Sequence, residues 1–202
     1  MKQILSLILV LLLLTGCGAN TPAAEEPAAA PETVAEPEKT AEAESKEEPA
    51  ELVLAPFSAQ TLTGETVTEA IYAEAELTVI NVWATYCGPC KQEMPVLGML
   101  DRELEDVQIL GIVTDVIDQN GDPDPDQVDL ALELTEAAAC EYPNLILNES
   151  LAYLGFGDIS AVPATLFVDS EGVVIGRGFY GALDEETWRQ TINERLEQVK
   201  NE

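Results

Sequence analysis

The chain has 202 residues, of which 38 are acidic and nine are basic, with no histidine and a net charge of −29. Contacts to phosphate groups require lysine and arginine, so this balance excludes nucleic acid as a partner. Four cysteines without histidine offer no second pair of zinc ligands and no imidazole for copper, so no metal site is expected.

The N-terminus has the pattern of an export signal. Lys2 supplies a positive charge, and residues 4–14 form an apolar core shorter than the ~20 residues of a membrane span. The run Leu14-Thr-Gly-Cys17 is similar to a bacterial lipobox. Residues 1–16 are therefore predicted to be a lipoprotein signal peptide, with Cys17 lipidated. The alternative is an ordinary signal peptide that ends near a cysteine.

The next segment has the composition of a tether. Residues 18–51 contain ten glutamates, two lysines, no aromatic residue and one large aliphatic residue, Val34. Such a segment cannot bury enough apolar surface to offset its ordering entropy. We expect a lipidated cysteine and a disordered tether over 17–51. A single domain with a charge of about −22 follows over 52–202.

The periodicity of apolar residues within 52–202 predicts a mixed sheet with helices on both faces, which is an α/β fold. In chain order, the predicted elements are a hairpin over 57–68 turning at Gly64, a strand over 77–83, a helix over 89–104, a strand over 107–113, a helix from 126 to about 140, a short strand over 144–147, a helical turn over 151–154, strands over 164–168 and 173–178, and a last helix opened by a capping box at 184–187. The acidic loop over 115–126 lacks the spacing of an EF-hand, so a solvated loop is favoured over a calcium site.

Two cysteines, Cys87 and Cys90, flank a Gly-Pro dipeptide between the first buried strand and the helix that follows it. Free backbone N–H groups and the helix dipole stabilise a thiolate at a helix start, and a cysteine one turn later can form a disulfide with it. A reversible dithiol couple is therefore favoured over half a zinc site or a structural staple, which so short a loop would make poorly. Cys140 is predicted to be a buried, inert thiol, and a third redox cysteine is the alternative.

Two stretches carry a family resemblance: Asn81-Val-Trp-Ala-Thr-Tyr-Cys-Gly-Pro-Cys-Lys-Gln-Glu-Met-Pro95 and Ala161-Val-Pro-Ala-Thr-Leu-Phe167. Through them the domain resembles the thioredoxin-like, TlpA/ResA-type extracytoplasmic thiol–disulfide oxidoreductases. The resemblance implies a thioredoxin-like fold, with a mixed central sheet flanked by helices, an N-terminal β-hairpin extension and a helical insert. It also implies that Pro163 is a cis-proline facing the cysteines. Val162 before it would then offer backbone groups to a substrate.

The same resemblance assigns roles to three more residues. Trp83 and Tyr86 are expected to pack around the thiols and contact substrate. Glu93 matches a glutamate placed near the dithiol, where a partly buried carboxylate would have a raised pKa and exchange a proton with Cys90. An ordinary surface residue is the alternative for Glu93. Asn81 stands where cytoplasmic thioredoxins carry a buried acid, and asparagine cannot titrate.

The resulting hypothesis is a lipid-anchored reductase on the extracytoplasmic face of a bacterial membrane. Cys87 attacks a partner protein's disulfide and Cys90 resolves the mixed disulfide, with no cofactor beyond the Cys87–Cys90 disulfide itself. The resemblance implies recharging by a membrane electron donor of the CcdA/DsbD kind, and a monomer is expected. The first alternative is a thiol peroxidase, which the alanine at position 84 disfavours because peroxidases place a threonine there. The second is a non-enzymatic binding module.

Overall fold

The computed structural model describes residues 52–201. The predicted signal peptide, Cys17 and the tether lie outside the described residues. The strands are β1 (Ser58–Gln60), β2 (Thr66–Thr68), β3 (Leu77–Trp83), β4 (Val107–Val113), β5 (Asn144–Ile146), β6 (Ala164–Asp169) and β7 (Phe179–Tyr180). The α-helices are α1 (Gly88–Glu103), α2 (Pro125–Ala137), α3 (Glu149–Tyr153) and α4 (Glu185–Asn201), with 3-10 helices at Glu69–Glu74 and Phe156–Asp158. None of these helices is long and apolar enough to cross a membrane.

Five strands form one mixed sheet in the order β5-β4-β3-β6-β7. Strand β3 lies at its centre, parallel to β4 and antiparallel to β6, and β4 is parallel to β5. The prediction of an α/β fold with a mixed central sheet is confirmed. Because β3 and β4 are parallel, the segments that follow Trp83 and Val113 leave the sheet at the same edge. The cysteines therefore lie beside the loop that follows β4.

The central strands are apolar on both faces because both faces are covered. Every residue of β3 is buried. On one face, Leu97 and Leu100 of α1 and Trp188 of α4 pack against the sheet. On the other face, the β1–β2 hairpin, the first 3-10 helix and α3 contribute the covering side chains, namely Phe57, Ala59, Ile71, Tyr72 and Leu151. The hairpin turns at Gly64, where a φ of 86° suits glycine.

Two predicted elements differ from the structure. Helix α2 ends at Ala137 rather than near Cys140, because Ala139 takes a φ of 52° and turns the chain out of the helix. The predicted strand over 173–178 is wrong: only isolated bridges join Val173 to Val53 and Val174 to Val168. The extended run breaks at Gly176, which has a φ of 64°, and the strand that pairs with β6 is β7.

Candidate active site

The two cysteines form a disulfide at the start of α1. The Sγ atoms of Cys87 and Cys90 are bonded, with the Cα atoms 5.3 Å apart. Cys87 is the N-cap residue, and its Sγ accepts a hydrogen bond of 3.1 Å from the backbone N–H of Cys90. This donor and the helix dipole stabilise a thiolate on Cys87 when the bond is reduced. Cys87 is 5 % exposed and Cys90 is fully buried, so a partner reaches Cys87 first.

A buried tryptophan packs in the same cluster as the disulfide. Trp83 ends β3, is fully buried, and packs in the same cluster as Cys87 and Cys90. Its indole Nε1 donates a 2.9 Å hydrogen bond to Oδ1 of Asn144 in β5. Gly111 of β4 leaves room for this bond, since a Cβ there would lie 2.0 Å from that oxygen. The packing role predicted for Trp83 thus has a geometric basis.

The loop that joins β3 to α1 is held by two charged residues. Asp115, just after β4, accepts hydrogen bonds from the backbone N–H and the hydroxyl of Thr85, the latter at 2.6 Å. Lys91 donates from Nζ to the backbone oxygen of Thr85 at 3.1 Å. Sequence reasoning missed Asp115. Its position just after β4 could have identified it, because parallel strands β3 and β4 end on the same side of the sheet as the cysteines.

The proline loop lies against the disulfide on the side of β6. The Val162–Pro163 peptide bond is cis, as the resemblance implied, and Pro163 is buried. The backbone oxygen of Val162 is 3.6 Å from Sγ of Cys87, and in the reduced protein the thiol can donate to it. Tyr86 is 75 % exposed next to Cys87, so its ring projects to solvent instead of packing around the thiols as expected, and its contact with substrate stays a prediction.

Glu93 is 1 % exposed, so the alternative of a surface residue is wrong. One carboxylate oxygen accepts from Nδ2 of Asn81 at 3.0 Å, and the other accepts from the backbone N–H of Leu183 at 3.1 Å. Desolvation by burial raises the pKa of Glu93, and these hydrogen bonds only partly offset that effect. Sequence reasoning identified Glu93 but gave no sign of Leu183.

Asn81 can adapt to either protonation state of Glu93. Its Nδ2 donates to the carboxylate and lies 3.4 Å from Oγ1 of Thr165, while its Oδ1 has no hydrogen-bond partner within residues 52–201. Rotation of the amide would place that oxygen against Glu93, where it could accept from a protonated carboxyl. The pair is thus suited to a carboxyl that gains and loses a proton.

We predict that Glu93→Gln flattens the pH dependence of stability. The pKa of Glu93 is raised above its ordinary value of 4.5 in the folded chain. Its stabilising contribution is therefore fully present below the unfolded pKa and is lost as the pH rises through the folded pKa. Glutamine does not titrate, and its amide can donate to Oδ1 of Asn81. Urea unfolding of the oxidised protein from pH 4 to pH 8 measures the effect. Parallel wild-type and variant curves would contradict it.

Cys140 is half-buried, and its thiol donates to the backbone oxygen of Met94 at 3.3 Å. Burial raises the pKa of this thiol, which lowers the thiolate fraction that would react. The predicted burial of Cys140 is therefore only partial, and its inertness stays a prediction. No group of three His, Cys, Asp or Glu side chains within residues 52–201 is placed to hold a metal ion.

Comparison with known proteins places these features in a family. The profile of the AhpC/TSA family matches residues 53–177. The chain belongs to the AhpC/TSA family. Its similarity extends to the TlpA/ResA-type members, and the chain is a thiol–disulfide oxidoreductase of thioredoxin-like fold with a Cys-x-x-Cys pair.

Two relatives support this placement, and one solved structure has the same fold. The thiol:disulfide interchange protein DsbE of Haemophilus influenzae is 28% identical over 146 residues, which cover 70% of this chain and 73% of that protein. The thiol-disulfide oxidoreductase ResA of Halalkalibacterium halodurans is 23% identical over 149 residues, covering 72% and 74%. A thioredoxin family thiol:disulfide interchange protein from Chlorobium tepidum has the same fold, with a TM-score of 0.61 at 18% identity, covering 74% of this chain and 99% of that one.

Proposed function

We propose that this oxidoreductase reduces disulfides of partner proteins on the extracytoplasmic face of a bacterial membrane, to which Cys17 anchors it by lipid. The observation that carries the reductase proposal is the placement of Cys87. Its Sγ lies at the start of α1, 5 % exposed and 3.6 Å from the backbone oxygen of Val162. A partner's sulfur can reach this atom while its backbone pairs with the proline loop.

The exchange proceeds in two steps that balance electrons and protons. The Cys87 thiolate attacks one sulfur of the partner's disulfide, forming a mixed disulfide and releasing the other sulfur as a thiolate that takes up a proton. Cys90 then loses its proton, attacks Sγ of Cys87, and releases the partner's second thiolate. The partner gains two electrons, and Cys87–Cys90 becomes the disulfide seen in the structure.

Glu93 serves as the proton acceptor for Cys90 in this proposal. The two residues are separated by three positions on α1, and both are buried. A carboxyl with a raised pKa accepts a proton at a smaller free-energy cost in a dry site than a carboxyl with an ordinary pKa. The unpaired Oδ1 of Asn81 would accept from the protonated form.

The proposed direction of electron flow is supported by the Gly-Pro dipeptide between the cysteines, which is typical of reducing thioredoxins with potentials near −270 mV. In an oxidising compartment the dithiol must be recharged, and a membrane electron donor of the CcdA/DsbD kind would supply the electrons. The thiol peroxidase alternative has less support, because Ala84 is fully buried and carries no hydroxyl to orient a peroxide.

The test is turnover of an artificial protein disulfide by the reduced chain, run beside a peroxide-consumption assay. We expect disulfide reduction with a potential for Cys87–Cys90 nearer −270 mV than −120 mV. Rapid peroxide consumption without disulfide reduction would favour the peroxidase. A potential near −120 mV would make the protein an oxidant of its partners.

The anchor gives a separate prediction. Cys17→Ala is expected to release the protein from membranes or to block processing of the signal peptide, because the lipobox cysteine is the attachment site. Stable anchoring requires more than one acyl chain, and a processed variant without the lipidated cysteine would carry none. Membrane fractionation with mass determination of the mature chain measures the effect. A mature-length Cys17→Ala protein that stays in the membrane fraction would argue against lipidation at this residue.

A further inference from the structure

The start of α4 brings both a backbone N–H and an indole ring to the side of α1 that carries Glu93. Trp188 is fully buried, and its ring packs against that of Phe179 with the centroids 5.7 Å apart. Its backbone N–H donates to the backbone oxygen of Asp184 at 2.9 Å, which closes the first turn of the helix. Leu183, one residue before Asp184, donates its N–H to Glu93 at 3.1 Å. The segment that binds Glu93 therefore also carries the indole.

The indole N–H of Trp188 is a buried donor without an ordinary hydrogen bond. Its Nε1 is sealed from solvent and has no partner of normal geometry within residues 52–201. Burial raises the pKa of Glu93, and Trp188 joins Asn81 and Leu183 in the hydrogen bonding that opposes this rise. The indole thus faces the carboxyl of Glu93 without full alignment in the oxidised protein. Because an indole nitrogen only donates, this contact favours the ionised carboxylate.

Unpaired polar atoms concentrate at this one carboxyl. Three buried side-chain polar atoms lack a partner within residues 52–201, and two of them, Nε1 of Trp188 and Oδ1 of Asn81, belong to neighbours of Glu93. Buried polar groups are otherwise almost always hydrogen-bonded. An unpaired donor beside an unpaired acceptor fits a carboxyl that changes its protonation state, since the donor serves the ionised form and the acceptor serves the protonated form.

No cation stabilises the ionised form of Glu93 in the part of the chain that the structure describes, where no salt bridge includes it. Its contacts with β3 and with the start of α4 involve no titratable side chain. Its titratable neighbours are Cys90, three residues earlier on α1, and Tyr142, which precedes β5. Burial, followed by the contact with Cys140 and the charge of Glu93, raises the pKa of Tyr142 well above its ordinary value, so the phenol stays neutral. The carboxylate therefore depends on neutral donors.

We propose that Trp188 is a positioning residue that holds Glu93 in its ionised, proton-accepting state by donating the indole N–H to the carboxylate. The inference rests on the proposed function, in which Glu93 takes the proton of Cys90 before Cys90 attacks Sγ of Cys87. In that step the proton passes from the thiol to the carboxylate, the indole keeps its own proton, and the electron pair left on Cys90 forms the new disulfide bond.

Nitrogen-15 spectra of the indole groups test the contact in the unaltered, oxidised full chain, which has two tryptophans. As the pH rises from 4 to 9, the Trp188 signal is expected to shift with the ionisation of Glu93 and to stop shifting in Glu93→Gln. The Trp83 signal is the internal control, because that indole already donates to Asn144, and Asn144→Ser identifies it. A Trp188 signal that is constant with pH, or that moves equally in Glu93→Gln, would overturn the proposal.

Trp188→Phe removes the donor and keeps an aromatic ring in the packed site. When the reduced full chain reacts with equimolar dithionitrobenzoate, Cys87 forms a mixed disulfide, and Cys90 then releases thionitrobenzoate in a phase that does not depend on reagent concentration. Any reaction of Cys17 or Cys140 with the reagent does depend on its concentration. Because Glu93 ionises less readily without the N–H, the acid limb of the concentration-independent phase should shift upward by about one pH unit in Trp188→Phe, with its plateau retained.

Two controls separate the N–H from packing. Phe179→Leu alters the contact with the indole ring but removes no donor, so its pH profile should match that of the wild type. In a Glu93→Gln chain, adding Trp188→Phe should produce no further shift. A shift in Phe179→Leu equal to that in Trp188→Phe, or a shift that persists without Glu93, would assign the effect to packing and overturn the proposal.

The outcomes also separate this inference from the proposed function. If Trp188→Phe fails to fold, the indole spectra of the unaltered chain decide between the two results given above. A constant Trp188 signal beside a normal concentration-independent phase would overturn the role of Trp188 and leave the reductase intact. A wild-type chain that lacks the concentration-independent phase would overturn the proposed function itself, because Cys90 would then not resolve the mixed disulfide.

Discussion

Replacing Cys90 with serine is expected to stop turnover and to leave the protein covalently bound to its substrate through Cys87. Cys87 is the more exposed of the two cysteines, and its Sγ accepts a hydrogen bond from the backbone N–H of Cys90, which stabilises the thiolate. We therefore expect Cys87 to form the mixed disulfide. Cys90 is the residue bonded to Cys87 in the oxidised protein, so its loss removes the thiol that resolves the mixed disulfide. Non-reducing electrophoresis of Cys90→Ser after reaction with a protein disulfide should show the complex as a new band that reductant removes.

The matched variant is Cys87→Ser. It should form few such complexes and should also lose turnover, because the fully buried Cys90 cannot reach a partner. Alkylation at neutral pH gives an independent measurement, since the thiolate of Cys87 should react faster than Cys90 in the reduced protein. A faster reaction at Cys90, or complexes that form only in Cys87→Ser, would reverse the assignment.

Gly111→Ala is expected to destabilise the sheet strongly. The added Cβ would lie 2.0 Å from Oδ1 of Asn144, the atom that accepts the indole N–H of Trp83. Either the strands separate or the Trp83 hydrogen bond breaks. We expect a loss of about 3 kcal/mol in the free energy of unfolding. For a domain of this size that loss lowers Tm by about 6–12 °C.

A double-mutant cycle tests this cause. Asn144→Ser should itself destabilise the protein by leaving Trp83 without its acceptor. The combination Gly111→Ala with Asn144→Ser should be little worse than Asn144→Ser alone, because the clash has been removed. If the losses in the free energy of unfolding are additive, the alanine destabilises the protein for a reason other than the clash with Asn144. Gly88→Ala is the control, because a Cβ added at Gly88 has no atom within 4 Å. The free energy of unfolding of this variant should hardly change.

The sequence by itself determined the central strands and the redox pair. Strands β3 and β4 have the predicted bounds to the residue, because both are continuous apolar runs that only a sheet covered on two faces can bury. The position of Cys87 at the start of α1 followed from the same pattern, since the strand ends at Trp83 and a proline follows at position 89. The local pattern of apolar residues was sufficient to predict an element's bounds where a buried run ends at the residue where the chain turns.

Only the tertiary structure decided the surroundings of that pair. The site of Glu93 joins groups far apart in the chain, because Asn81 lies near both Glu93 and Thr165 while Leu183 donates from the loop before α4. Helical spacing placed Glu93 on a face of α1 but could not tell whether another element covers that face. Likewise, the sequence over 173–178 predicts a strand. In the structure, Gly176 has a left-handed backbone conformation, and the edge strand that pairs with β6 is β7, which begins at Phe179. Long-range packing sets such contacts, and no local stretch of sequence encodes them.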